Sequence, residues 1–417
     1  MKNEQLFAKA YSRLMELYGG AHSTPDITIL SRFYREKMIL GESELYMRYL
    51  DFLCRVREKA NRKGEHIFVR GPVGASLVAY LLGATDLNPL PRHAYCPHCH
   101  TAKFVGTGTP FDKTSIRCSC GAEMKTDGHN LPFESSLKSI LSERIQFCVS
   151  YAFFTEAKEM IYDEMWDKAL VTLTDGDMSP VWFCVLDKEN HWPGNYTLSE
   201  NRDIFALYPR ITLVPDKVLD QFRELENATG FKLKDISCHE ECIAFSGFMT
   251  LDVQGIPHFD NGFVKSIWHA INPQSYNDLL KLIGLAHSTN IWKNNAETLF
   301  AVHRMSLREI PAFREELYEM IKERLCRKGI SDEGLAYEVT DKAMRGHYAK
   351  TGGVDENTVS ALLNIGFDMD FIAFLSKINY MFTKAQGAGY LRQAIAMMVY
   401  KMKFKKEYLE IMMKKGS

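Results

Sequence analysis

Cys96-Pro97-His98-Cys99 and, eighteen residues later, Cys118-Ser119-Cys120-Gly121 are the stretch that decides the first part of the fold. Two close cysteine pairs at this separation are typical of a zinc ribbon, in which each pair lies on a tight turn. His98 and His100 are alternative ligands, because the second pair has one residue between its cysteines instead of two. Buried free thiols are the other interpretation, since cysteine often behaves as a small apolar side chain. We predict a structural zinc ion held by Cys96, Cys99, Cys118 and Cys120.

Length and composition indicate a soluble protein with two or three domains. The chain has 417 residues, of which 46% are hydrophobic and 25% are charged, and one core seldom organises so long a chain. Ten cysteines without a signal peptide predict a reducing, cytoplasmic location, and no apolar run reaches the length of a membrane span. The formal net charge is −1, whereas a nucleic-acid-binding domain is usually basic. Any DNA-binding face must therefore be local.

The N-terminal half begins with helical patterns and then changes to a strand. Apolar spacing predicts helices within residues 1–64, including one helical stretch from Tyr34 to Val56. A short strand at 66–69, a glycine-bearing turn at 70–76 and a helix at 77–82 follow. This order can bind phosphate, because backbone N–H groups and a helix N-terminus face the ligand. Most such turns, however, only connect a strand to a helix.

The rest of the chain has mixed strand and helix patterns at first and helical patterns after them. Residues 169–174 and 181–186 predict two strands joined by a hairpin turn at Asp175-Gly176-Asp177. From residue 216 onward the apolar spacing is helical. The one locally basic region lies near the C-terminus, and four of its residues are the candidate DNA-binding residues: Lys401, Lys403, Lys405 and Lys406.

Several segments, taken in order, resemble the α subunit of bacterial DNA polymerase III of the PolC type, a C-family DNA polymerase. They cover about residues 6 to 410 and are specific as a set, although no single one would suffice. The segments are Arg70-Gly71-Pro72-Val73-Gly74-Ala75-Ser76, Asn88-Pro89-Leu90-Pro91, Asp127-Gly128-His129-Asn130-Leu131-Pro132-Phe133-Glu134, Ile256-Pro257-His258-Phe259, Gly284-Leu285-Ala286-His287-Ser288-Thr289-Asn290-Ile291-Trp292 and Tyr380-Met381-Phe382-Thr383-Lys384-Ala385-Gln386.

The resemblance implies an α/β palm of the nucleotidyltransferase type with a zinc-knuckle insert, followed by an all-α fingers domain. It places the N-terminal helical part of the palm at residues 1–64 and the palm core at 65–215. The core would contain the knuckle at 93–129 and a shortened thumb at 150–205, and the fingers would span 216–417. The residues implied to contact a nucleotide phosphate are Arg70, Gly71, Gly74, Ser76 and Lys384, although Pro72 and Ala75 stand where the family has serines.

The chain departs from the family at the catalytic carboxylates. A DNA polymerase holds two Mg²⁺ ions with clustered carboxylates, which the family takes from a Pro-Asp-Ile-Asp strand and a Lys-Leu-Asp-Ile-Leu strand. The matching segments here are Ile145-Gln146-Phe147-Cys148-Val149 and Arg210-Ile211-Thr212-Leu213-Val214. This match places Phe147, Val149 and Thr212 at the aspartate positions. Apolar side chains cannot hold Mg²⁺, so no catalytic residue is predicted on these strands.

Three functions remain open from the sequence. The first is a non-catalytic, PolC-derived protein that binds DNA or replication proteins. The second is a minimal Mg²⁺-dependent nucleotidyltransferase that uses relocated carboxylates such as Asp175 and Asp177. The third is a protein–protein interaction module with no nucleic-acid role, which the near-neutral charge favours. No membrane partner is expected.

Overall fold

The computed structural model describes residues 2–20, 24–112, 116–186 and 196–413. The chain forms two compact units, one made of Met1–Ser246 together with Ile395–Ser417 and the other of Gly247–Ala394. The helical half expected from residue 216 is thus divided between the units, and the family-domain boundaries given above stay predictions. None of the described helices is long and apolar enough to cross a bilayer.

The first unit starts with three helices, α1 (Lys2–Tyr18), α2 (Ile27–Leu40) and α3 (Glu44–Arg62). Asp26 caps α2 by accepting from the N–H of Thr28 (2.8 Å), and Ser43 caps α3 by accepting from the N–H of Tyr46 (3.0 Å). The cap at Ser43 explains why the single stretch predicted from Tyr34 to Val56 is two helices. Their apolar faces enter the core of this unit.

A five-stranded sheet lies at the centre of the first unit, in the order β1-β5-β8-β7-β6. Its strands are β1 (Ile67–Arg70), β5 (Arg144–Val149), β6 (Ala169–Thr174), β7 (Val181–Leu186) and β8 (Arg210–Pro215). Only β5 and β8 run parallel. Strands β6 and β7 form the hairpin predicted around Asp175-Gly176-Asp177, with Thr174 opposite Val181.

Short helices connect these strands. They are α4 (Leu77–Leu82), α5 (Leu137–Leu141), α6 (Tyr151–Glu164) and α7 (Leu198–Phe205). The region expected to be a shortened thumb therefore contains α6, the β6–β7 hairpin and α7, of which residues 187–195 lie outside the described part. Because β6 and β7 belong to the central sheet, the described part of this region is continuous with that sheet.

The cysteine pairs belong to a separate three-stranded sheet, β3-β2-β4. Its strands are β2 (His93–Tyr95), β3 (Ala102–Phe104) and β4 (Lys125–Asp127). A buried polar network joins this sheet to α1, because the Asn88 amide donates both to the Tyr18 hydroxyl (2.7 Å) and to Asp127 (2.9 Å). Tyr18 in turn lies 3.1 Å from His93 Nε2.

The first unit ends with α8 (Lys217–Thr229), most of α9 (Cys238–Met249), the last part of α18 (Lys384–Lys403) and α19 (Lys405–Met413). Helix α19 packs against α8. Buried Tyr400 completes this contact, since its hydroxyl donates to the carbonyl of Phe231 (2.8 Å) and its ring contacts the Phe231 ring.

The second unit is helical throughout its described elements. These are α10 (Gly262–Ile271), α11 (Tyr276–His287), α12 (Glu297–Ala301), α13 (Arg314–Arg327), α14 (Gly334–Met344), α15 (His347–Thr351), α16 (Glu356–Asn364), α17 (Met369–Lys377) and the first part of α18. Three segments that carried the family resemblance meet here. His258 stacks on Tyr390 of α18, His287 stacks on Phe382, and Thr289 bridges to Tyr380.

Candidate functional site

The central strands β5 and β8 carry the candidate site, and their register decides which residues share a face. Gln146 lies opposite Thr212. Side chains alternate between the two faces of a strand, so Phe147 and Val149 point to the face away from Thr212. Phe147 is fully buried and packs against the ring of Phe52 in α3. The three positions matched to aspartates therefore do not line one site.

The face that carries Thr212 also carries Gln146 and Cys148, and β1 adds Arg70 in register with Gln146. Burial raises the pKa of Cys148 to about 12, so this thiol is protonated at neutral pH. Neither β5 nor β8 contains an aspartate or a glutamate. The amide, hydroxyl, thiol and guanidinium groups of this face do not fit a pair of Mg²⁺ ions, which prefer carboxylate oxygens.

The carboxylates that follow β8 contact other partners. Asp216 accepts from the N–H of Val218 (3.0 Å) at the start of α8, and its second oxygen lies 3.5 Å from Arg70. Asp220 accepts from the N–H of Tyr151 (2.8 Å) at the start of α6. Both therefore cap helices, and such a carboxylate stabilises the positive end of a helix.

The glycine turn does not present an open helix N-terminus. The buried carboxylate of Glu36, on α2, accepts from the Ser76 hydroxyl (2.8 Å) and from the N–H groups of Leu77 and Val78 (3.0 Å each). An internal carboxylate thus occupies the position that a bound phosphate would take at α4. Arg70 is half-buried, and the other residues predicted to contact phosphate in this turn are buried: Gly71, Gly74 and Ser76.

Lys384 lies in the second unit, as the first residue of α18, and is buried. Its backbone N–H donates to Glu315 (2.7 Å). Burial lowers the pKa of Lys384, while the charge of Glu316 opposes that shift. Lys281 pairs with the same Glu316 (3.0 Å). Lys384 therefore belongs to an internal cluster of opposite charges, which differs from the nucleotide-phosphate contact that the resemblance implied.

The four C-terminal lysines differ in accessibility. Lys401 is buried, with 7% of its surface exposed. Lys403 pairs with Glu240 (2.9 Å), and its ammonium lies over the ring of Phe231. Lys405 and Lys406 are exposed at the start of α19. Three of the four lysines are therefore exposed, but one of these, Lys403, is paired with an acidic residue and Lys401 is buried, so the predicted basic region is not a continuous basic face.

The four predicted zinc ligands do come together. The sulfur atoms of Cys96, Cys99, Cys118 and Cys120 all lie within 4.8 Å of one another. Tetrahedral Zn–S bonds of ~2.3 Å place sulfurs ~3.8 Å apart, and the sulfurs of Cys96 and Cys120 are 3.6 Å apart. Neither histidine considered as an alternative ligand belongs to this group. The donor set and its geometry fit a metal ion.

The turns that hold these sulfurs also supply donors to them. The N–H groups of His98 and Cys99 donate to the Cys96 sulfur (3.4 and 3.3 Å). The backbone of Cys120 lowers the pKa of Cys118 to about 6, whereas hydrogen bonding with the Cys120 sulfur raises the pKa of Cys99 to about 12. These opposite shifts follow from crowding four thiols together, and a bound divalent cation would favour the thiolate form of all four.

One of the two carboxylates proposed as a relocated metal site has structural contacts. Asp175 accepts from the N–H of Ser199 (2.9 Å) and from its hydroxyl (3.0 Å), and the N–H contact lowers the pKa of Asp175. Asp177 is exposed in the same hairpin. Within the described part of the chain, the four-cysteine group is the only cluster of three or more histidine, cysteine or acidic residues placed to share a metal.

The comparisons with known proteins agree with this architecture. Residues 214–328 match the family model of the bacterial DNA polymerase III alpha subunit finger domain. The chain is a relative of the alpha subunit of bacterial DNA polymerase III. Its curated relatives are of the PolC type.

Three of these relatives are named DNA polymerase III PolC-type. The protein of Streptococcus thermophilus strain LMD-9 is 26% identical over 477 aligned positions, which include 95% of this chain and 32% of the relative. The proteins of Streptococcus agalactiae strain NEM316 and Streptococcus mutans strain UA159 are 24% and 25% identical, covering 96% and 95% of this chain. The chain thus spans about a third of the length of these relatives.

Reasoning from the sequence missed two kinds of residue at this site. Arg144 and Arg210 lie opposite each other at the start of β5 and β8, on the face of Thr212. The Arg-x-Gln and Arg-x-Thr spacing of the two strands contained this signal, because residues two apart share a face. Glu36 gave no local signal, since it lies forty residues before Ser76 and meets it only through the fold.

Proposed function

We propose that this chain is a non-catalytic protein derived from a PolC-type polymerase alpha subunit, and that it binds DNA. The observation that supports this proposal is the composition of β5 and β8, which contain no carboxylate. Two-metal nucleotidyl transfer requires carboxylates from such strands to hold the ions that activate the attacking and leaving oxygens. Arg144, Gln146, Arg210 and Thr212 supply positive or neutral groups at that face instead.

The DNA-binding part of the proposal rests on the polymerase relatives and on the accessible lysines. The curated relatives are named DNA polymerases, and Lys405 and Lys406 are exposed. Exposed lysines bind phosphates without reading the base sequence. We propose replication proteins as further partners and the reducing cytoplasm as the location. The nine cysteines whose side chains are described form no disulfide with one another, which suits that location.

A protein–protein interaction module is the second candidate function. The observation that favours it is the state of Lys401 and Lys403, one buried and the other paired with Glu240. Two of the four lysines expected to bind DNA therefore already have intramolecular roles. DNA affinity that is absent at low salt would favour this module over the DNA-binding protein.

We further propose that the metal of the four-cysteine group is zinc and that its role is structural. Four thiolate ligands close the coordination shell, so no position is open for water or substrate. The group lies beside the three-stranded sheet, which is separate from the sheet that contains β5 and β8, and apolar residues such as Ala94 and Met124 pack around it.

Primer extension on a gapped duplex, with Mg²⁺ or Mn²⁺, tests the proposed function when DNA binding is measured by anisotropy on the same sample. We expect binding without extension. Extension would overturn the non-catalytic role, and its loss in the double variant D175N/D177N would assign it to relocated carboxylates. A sample that neither extends nor binds would support the interaction module. The variant K405Q/K406Q should bind DNA more weakly and with a shallower salt dependence.

A further inference from the structure

One face of the central sheet concentrates arginines around the position where a polymerase would hold metal ions. Arg70 on β1, Gln146 on β5 and Thr212 on β8 form one row across the sheet, because each is in register with the next. Arg144 and Arg210 form the adjacent row of the same two central strands. Three guanidinium groups therefore surround one amide and one hydroxyl.

Aromatic contacts hold part of this cluster in place. The guanidinium of Arg210 lies 3.9 Å from the centre of the Trp182 ring, and that of Arg202 lies 5.6 Å from it. Trp182 is in register with Thr212 and so faces the same side. Stacking on an aromatic ring fixes the plane of a guanidinium, which prepares its fork of donors for a planar or tetrahedral oxyanion.

The arginines are also close enough to repel one another. Burial lowers the pKa of Arg210 to about 10, and the charge of Arg144 adds to this shift. Arg210 donates to the carbonyl of Ala206 (2.9 Å), while its Nε has no hydrogen-bond partner among the described residues. Both Arg144 and Arg210 are half-buried. An anion bound beside the two guanidinium groups would reduce this repulsion.

We propose that this face of the palm sheet binds the phosphate groups of a ligand directly through Arg144 and Arg210, without a divalent metal. Arginine suits this role, because its paired N–H donors match two oxygens of a phosphate. Thr212 and Gln146 add neutral donors in the next row. The ligand chemistry is a pyrophosphate-like group or a phosphodiester, and its source is either a free nucleotide or the backbone of DNA.

This proposal concerns a different surface from the C-terminal lysines, and it holds whether or not those lysines bind DNA. Arg70 is left out of the central pair because it already lies 3.5 Å from Asp216. The site is positively charged, whereas a metal-binding carboxylate cluster is negatively charged. It therefore binds directly a phosphate whose charge would be neutralised by metal ions in a polymerase.

The test uses the full chain, with its own metal in place and no Mg²⁺ added, and two probes. Inorganic pyrophosphate is titrated by calorimetry, and a labelled twelve-nucleotide single strand is titrated by anisotropy. The variants are Arg144→Gln and Arg210→Gln, and the control is Arg327→Gln, which removes a highly exposed arginine of α13. We expect each site variant to bind at least one probe tenfold or more weakly, and the control to bind both probes as the unmodified chain does.

The pattern across the two probes identifies the source of the phosphate. A loss confined to pyrophosphate indicates a free polyphosphate ligand, and a loss that includes the strand indicates backbone phosphates. The proposal would be overturned if both site variants bound the probes with the same affinity as the unmodified chain. It would also be overturned if the unmodified chain bound neither of the two probes. Circular dichroism checks the fold of each variant. Thr212→Asp, which places a negative charge next to Arg210 on the same face of β8, must weaken binding of the same probe. The variant K405Q/K406Q must leave pyrophosphate binding unchanged.

Discussion

Glu36 is the residue that most affects how the glycine turn can function. Its carboxylate has three donors at the start of α4 and a fourth in Arg32, whose Nε lies 2.5 Å from it. Arg32 also donates to the carbonyl of Ala75 (2.7 Å). A buried carboxylate with this many charge-assisted hydrogen bonds fixes α2, the turn and α4 together. The same contacts close this turn to an external phosphate.

We expect Glu36→Gln to lower the free energy of unfolding by about 3 kcal/mol. The amide keeps one acceptor oxygen, but its NH₂ group meets the N–H of Val78 or the Ser76 hydroxyl as a second donor. It also leaves the half-buried Arg32 without its charge partner. Urea unfolding followed by circular dichroism measures the change.

Glu16→Gln is the matched control, because Glu16 also pairs with an arginine but both side chains are exposed. Such a surface pair contributes less than about 1 kcal/mol. If Glu36→Gln lowered the free energy of unfolding as little as this control does, the carboxylate would not be what closes the glycine turn. Phosphate binding at Ser76 would then be possible again.

At the scale of elements, the three-stranded sheet is small and lies beside the four-cysteine group. Strands β2, β3 and β4 have three residues each, and so small a sheet seldom has enough core to be stable alone. The cysteine group supplies part of that core through Cys96 and Cys118, which are buried. A structural metal is the usual substitute for a larger core in such an insert.

We expect the double variant C96S/C99S to lose its zinc and to exchange amide hydrogens rapidly across β2–β4. Exchange in the central strands β5 and β8 should change less, because those strands belong to a different sheet. Elemental analysis gives the zinc content per chain, and hydrogen exchange with mass spectrometry locates the change. The control C242S/C326S removes two exposed cysteines outside the group and should retain one zinc ion. A chain that purifies without zinc and is indifferent to chelators would contradict this expectation.

The sequence predicted the positions of helices and strands more reliably than it predicted which face of a strand a side chain occupies. The β6–β7 hairpin and helix α4 are where local patterns placed them, because turn residues and apolar spacing act over a few positions. The cysteine spacing likewise predicted the four-sulfur group. The face of β5 was not predictable from the motif match alone, because a shift of one residue exchanges Phe147 for Gln146. Only the pairing with Thr212 on β8 decides which of the two shares the site.

Burial of charged residues was equally hard to predict from the sequence. Lysine side chains are usually exposed, yet Lys384, a candidate phosphate contact, and Lys401, a candidate DNA contact, are both buried. Their environments are formed by residues far away in the chain. The backbone N–H of Lys384 donates to Glu315 across 69 positions, and the charge of Glu316 favours the protonated lysine, so no local pattern could indicate these acidic neighbours.

At the scale of the whole molecule, the C-terminal segment completes the first unit. The chain leaves this unit after Ser246 and returns to it at Ile395. Tyr400, on the returning part of α18, is fully buried and contacts the rings of Phe222, on α8, and Phe231. The stability of α8 therefore depends on residues about 170 positions later in the chain.

We expect Tyr400→Ala to destabilise the first unit by about 3–5 kcal/mol, the range for removing a large buried side chain. Tyr400→Phe keeps the ring and removes only the hydrogen bond to Phe231, so it should cost about 1 kcal/mol. Hydrogen exchange should accelerate in α8 and α19 of the alanine variant, while α11 of the second unit keeps its protection. Equal protection of α8 in both variants would mean that the unit is complete without the C-terminal segment. Its lysines would then be available to bind DNA without weakening the fold.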